Sequence, residues 1–168
     1  MKVKATPDGA TVLGFLAAAA LWIALLGPAW AYIPATPTTP AANMNFADLV
    51  ALNESLSPGG LQDAFYSWGA WLFATIAAVL ALVAGRSRAS VGIIAAAAGL
   101  AMLVVFLLAS KGEATVAMLF DALPYTRVGS VLFLIGTVLL TASGVARLVS
   151  LRTQGVAVTH QSAVPVAR

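Results

Sequence analysis

Few side chains in this sequence could do chemistry, and none stands in a constellation that would let it. The single histidine, His160, lies in a polar segment near the C-terminus, without co-ligands at the spacing a metal or haem site needs. The chain has no cysteine, which excludes disulfides, zinc–thiolate sites, iron–sulfur clusters and thiol nucleophiles. Glu113 and Asp121 share one loop, but no nucleophile or base that could complete an acid/base site stands beside them. No glycine-rich loop is present to cradle a phosphate. Asn53-Glu54-Ser55 satisfies the glycosylation sequon, a pattern common by chance. Thr75, Thr137, Thr141 and Ser143 are the hydroxyls inside the most apolar stretches. Each can bond back to a carbonyl of its own helix, and a pore would need several copies of the chain with these groups converging. Arg86 and Arg88 sit in a tight turn between two apolar stretches, where they would fix orientation and touch anionic lipid headgroups.

The elements that position these groups follow from composition. Of 168 residues, 61% are hydrophobic and 9% charged, against roughly 25% charged in an ordinary soluble domain. Such a chain cannot coat itself in water-facing charge, so an integral membrane protein is expected. A helix needs about 20 apolar residues to cross a ~30 Å hydrocarbon core. Four stretches qualify: Thr11 to about Tyr32, Phe65–Ala84, Val91–Ser110 and Val128–Val149. Arg147 is the one ionisable side chain inside them, close enough to an end to be expected to snorkel. Transporters and proton-coupled proteins mark their spans with buried charge, and that mark is missing here.

Charge asymmetry sets the expected orientation. Lys2, Lys4, Arg86, Arg88, Arg147, Arg152 and Arg168 fall on one side, and only Lys111 and Arg127 on the other. The positive-inside rule then places both termini in the cytoplasm and residues 33–64 and 111–127 outside. Trp30, Tyr32, Phe65, Tyr66, Trp68, Trp71 and Tyr125 cluster at the outer ends of the spans, as interfacial aromatics do. The first span also resembles a secretory signal, with Lys2 and Lys4 ahead of it and Ala29-Trp30-Ala31 after it. Its apolar stretch exceeds the roughly 7–15 residues of a signal core, so a retained span is the expectation.

The outer loops carry patterns of their own. Pro34, Pro37 and Pro40 predict an extended segment. Asn45 reads as an N-cap with Asp48 as its capping-box partner. Phe46, Leu49 and Val50 then follow at helical spacing, predicting a short amphipathic helix from Phe46 to Leu56. Val116, Leu119, Phe120 and Leu123 predict a second one, ended by Pro124. Both could lie on the bilayer or dock on a partner. The tail of residues 152–168 has no periodicity and is expected to be extended or disordered. Small residues crowd the spans. Gly92/Gly99 and Gly129/Gly136 each mark one helix face, for packing within the bundle or for a seam against a neighbouring subunit.

The expected fold is therefore all-α, an antiparallel four-helix transmembrane bundle over residues 1–151 with two short amphipathic outer-loop helices. No cofactor, metal or catalytic role is expected. The expected function is that of a non-catalytic accessory subunit of a larger membrane complex. Its candidate partner surfaces are Phe46, Leu49, Val50, Val116, Leu119, Phe120 and Leu123, with Gly92, Gly99, Gly129 and Gly136 as seams. The rival reading is a homo-oligomeric small transporter, channel or lipid-handling protein. The four spans, with Ala/Gly/Val-rich stretches such as Val91–Val105, resemble the small four-span accessory proteins of actinobacterial respiratory supercomplexes. Those associate with the cytochrome bcc complex and the aa3-type oxidase without carrying redox groups. The resemblance implies a bacterial plasma membrane, other membrane subunits and lipids as partners, a respiratory complex as host, and no nucleic acid.

Overall fold

The computed structural model describes residues 8–56, 59–83, 89–111, 121 and 123–161. Four of its helices are long and apolar enough to cross a membrane. The first, α1 (Gly9–Leu26), starts where the Asp8 carboxylate accepts the Thr11 amide at 2.8 Å. It stops at Gly27-Pro28, six residues short of the expected Tyr32, because proline cannot continue the backbone ladder. The chain then turns into a small hairpin, β1 (Ala31–Ile33) paired antiparallel with β2 (Ala42–Met44), Tyr32 opposite Asn43. The proline-rich segment is the loop of this hairpin.

The short helix α2 (Phe46–Leu56) has the bounds its sequence predicts. Its capping box is reciprocal: the Asp48 amide donates to Asn45 Oδ1 at 3.0 Å, and the Asn45 amide to Asp48 Oδ2 at 2.9 Å. Gly59 and Gly60, both near φ +68°, reverse the chain into α3 (Gly60–Leu82), a left-handed conformation that other residues adopt at a cost. One wide π turn, Phe65–Gly69, interrupts α3. α4 (Ala89–Lys111) and α5 (Val128–Gln161) complete the set, with a 3-10 turn at Leu123–Tyr125 leading into α5.

α5 continues for ten residues beyond Leu151, where extended chain is expected. That stretch contains one glycine, Gly155, and no proline, so nothing breaks the helical ladder before Gln161. The rest of the tail, 162–168, lies outside the described residues, as do Arg86 and Arg88 and the predicted helix positions Val116, Leu119 and Phe120.

α1 and α5 form the centre; α3 packs on α1 and α4 on α5. The seams are narrow and built from small residues. On α3 the buried row is Ala70, Ala74, Ala77 and Ala81; on α4 it is Gly92, Ala95, Gly99, Met102, Phe106 and Ala109. Both follow the alternating three- and four-residue steps of knobs-into-holes packing. In lipid this is how helices associate: close backbone approach, in place of a hydrophobic drive.

Candidate functional site

Two ends of the helix set are distinct. At the terminal end, Ser143 donates its hydroxyl to the Ala10 carbonyl at 2.7 Å, which ties α5 to the start of α1. Arg147 is not snorkelling but buried, at 6% exposure, with a 3.4 Å contact from its guanidinium to the Thr11 hydroxyl. The Asp8 carboxyl sits below its ordinary value because hydrogen bonds from the Thr11 side chain and amide hold its charged form, with Arg147 adding attraction. These groups lock one helix to another.

The other end, which carries the hairpin, is built around Trp30. Its indole is 3% exposed and donates Nε1–H to the Ala24 carbonyl at 2.6 Å. The rings of Phe46 and Phe133 lie 4.9 and 5.4 Å from it, and Phe65 and Phe106 pack on Phe133. Trp30 is thus the hub of an aromatic core, its ring turned inward on its own chain. The backbone around it closes the start of α5. Gly129 donates its amide to the Ala29 carbonyl at 2.7 Å, and Arg127 its amide to the Trp30 carbonyl at 3.0 Å. Donors that a helix N-terminus leaves unpaired are satisfied this way. Gly129 lies so near the Trp30 ring and the Pro28 carbonyl that any side chain there would collide with both.

The candidate partner-contact residues that are described, the half-exposed Leu123 aside, pack within the chain. Phe46 is 1% exposed, held by Trp30, Tyr66 and Trp71, and so α2 is a lid on its own bundle. Leu49 and Val50 pack on the same core. A Cβ on Gly99 would meet Thr141 and Thr137 of α5, one on Gly92 would meet Gly144 and Leu148, and one on Gly136 would meet Leu21 and Ala17 of α1. With Gly129 against Trp30, all four glycine faces are consumed within the chain. Small side chains mark close approach, but not whether the approaching helix belongs to the same chain.

The mid-helix hydroxyls are committed too. Thr75 donates to the Trp71 carbonyl at 2.8 Å, Thr137 to Leu134 at 2.7 Å and Thr141 to Thr137 at 2.9 Å. Asn53 of the sequon is 4% exposed, and its amide donates to Asp63 Oδ1 at 2.9 Å, a placement closed to a glycan. No group of three His, Cys, Asp or Glu that could hold a metal occurs among the described residues.

Beside the aromatic core lies a cavity of about 320 Å³ between α4, α5 and the hairpin end. Trp30, Tyr66 and Phe106 form its inner wall; Leu107, Val131 and Leu134, all more than a third exposed, form its open side. Leu49 and Leu123, both predicted contact residues, meet at this cavity. Nothing in the sequence pattern marked it, because its walls come from five separate segments. Comparison of the chain with protein families, curated proteins and solved structures returned no match.

Proposed function

We propose that the chain is a multi-pass protein of a bacterial plasma membrane whose four long helices form an antiparallel bundle with both termini in the cytoplasm. It acts there as a non-catalytic accessory subunit that stabilises a larger membrane complex, of the respiratory kind by resemblance. One observation carries this reading. The polar side chains within the long helices, the hydroxyls of Thr75, Thr137, Thr141 and Ser143 and the Arg147 guanidinium, bond within the chain and hold its own helices. What remains outward is apolar. α4 buries a single row and exposes Ile93, Ile94, Leu100, Val104, Leu107 and Leu108 to lipid or a neighbouring subunit. Charge supports the orientation, with Arg147 and Arg152 towards the terminal end and Asp48, Glu54 and Asp63 at the hairpin end.

The test is mild-detergent solubilisation of the native membrane, affinity capture of the full chain and native electrophoresis. Co-migration with haem-containing subunits is expected. A homo-oligomer that moves ions or solutes in liposomes overturns the proposal, as does turnover of a substrate by the purified chain alone.

A further inference from the structure

We infer that the tip of the hairpin is a site of O-glycosylation, with the hydroxyls of Thr38 and Thr39 as acceptors for a hexose. Residues 34–42 hold three prolines, three threonines and three alanines, and nothing else. Threonine set among prolines is the composition of O-glycosylated segments. Proline keeps such a backbone out of helices and strand ladders, so a transferase can take it up as open chain. Alanine and proline leave no charge or bulk to crowd the hydroxyls.

The structure separates the three threonines by role. Thr36 donates its amide to the Thr39 carbonyl at 2.8 Å, and Thr39 its amide to the Thr36 carbonyl at 3.4 Å, which closes a tight turn over Pro37 and Thr38. Pro37 takes the second position of that turn, where its fixed φ fits. Thr36 Oγ1 accepts the Thr39 amide at 3.0 Å and the Thr38 amide at 3.4 Å, so this hydroxyl holds the turn. The Thr38 hydroxyl has only a 3.4 Å contact with that of Thr36, and the Thr39 hydroxyl makes no hydrogen bond among the described residues. Residues 33–43 are all exposed, so a sugar on either hydroxyl meets solvent and displaces nothing. The buried Asn53 amide of the sequon is the contrast.

The inference rests on the proposed orientation, which puts the hairpin end outside the cytoplasm. Nucleotide sugars are kept inside the cytoplasm, so the donor is a hexose linked to a polyprenyl phosphate in the same membrane. The threonine Oγ1 attacks the anomeric carbon and forms the glycosidic bond. The bond from that carbon to the phosphate oxygen breaks, polyprenyl phosphate leaves, and the hydroxyl proton passes to a base of the host's transferase.

The test captures the full chain from its native membrane, measures its intact mass and maps the peptide carrying residues 34–42 by electron-transfer fragmentation. Added hexose on Thr38 or Thr39 is expected. Replacing both residues, Thr38→Val with Thr39→Val, should remove it, and Thr38→Ser with Thr39→Ser should restore it. An unmodified wild-type chain, or hexose mapped only to other residues, overturns the inference. Orientation is read separately, because the chain has no cysteine of its own. Ala35→Cys, placed in the double valine variant, should react with a membrane-impermeant maleimide on intact cells. Labelling without sugar on the wild type overturns the site and leaves the orientation standing; no labelling overturns both.

Discussion

Replacing Gly99 with alanine adds one methyl group, and the structure says where it goes. The new Cβ would lie 2.7 Å from the Thr141 amide nitrogen and 3.0 Å from the Thr137 carbonyl oxygen, where ordinary contact begins at 3.4 Å. Both are backbone atoms, so no rotamer change relieves the clash, and α4 must back away from α5. A separation of roughly 0.5–1 Å forfeits a quarter to a half of the dispersion energy at each contact along the seam. Overpacking of this kind costs about 1–3 kcal/mol, and the better helix propensity of alanine returns at most about 1 kcal/mol. The net expectation is a loss of about 1–2 kcal/mol. Gly9→Ala is the control: its Cβ would meet nothing within 4 Å, so only the propensity difference acts. Reversible unfolding in mixed micelles, followed by far-ultraviolet circular dichroism, measures both. If Gly99→Ala is as stable as Gly9→Ala, the close α4–α5 seam is refuted, and with it the assignment of the glycine faces to internal packing.

Three further outcomes follow from the same geometry. Phe46→Ala should cost about 3–5 kcal/mol and free α2 from the bundle, read as faster proteolysis within residues 46–56, because the ring is buried against three other aromatics. Trp30→Phe removes the donor to the Ala24 carbonyl and should cost about 1–3 kcal/mol in the same unfolding assay. Asp8 has a depressed folded value, so its contribution is complete above the unfolded carboxyl value of about 4 and is lost as pH falls through the folded one. Wild type should therefore lose stability in acid over that window, and Asp8→Asn, which keeps the cap but not the charge, should lose less.

Much of the fold was legible because lipid-crossing helices and helix caps depend on local sequence. The four apolar stretches and the Asn45/Asp48 capping box are decided by neighbours within a few residues. The stop at Gly27-Pro28 is just as local, yet the expected first span runs on to Tyr32 because the residues after the proline are apolar too. The hairpin was not legible, since three-residue strands flanking a proline loop carry no alternation long enough to read. The burial of Trp30 was not legible for a related reason: an aromatic at a helix end looks the same whether it meets lipid or Phe133. Arg147 was misjudged because burial against Thr11 and Asp8 requires knowing that α1 and α5 are adjacent. The cavity was beyond reach altogether, since no single segment contains it.

The wide turn at Phe65–Gly69 has a consequence for how the molecule can vary. At 100° per residue, five regular helical steps would carry Ala70 about 140° around from Phe65. The Ala70 amide instead bonds the Phe65 carbonyl, so the phenyl ring and the alanine row come into line on one side of the helix. The turn acts as a phase shifter between two halves with different demands, rings above and methyl groups below. Deleting a single residue within it would set those halves out of step and force a choice between them. The surplus residue in that turn is what lets one continuous rod serve two partners at once.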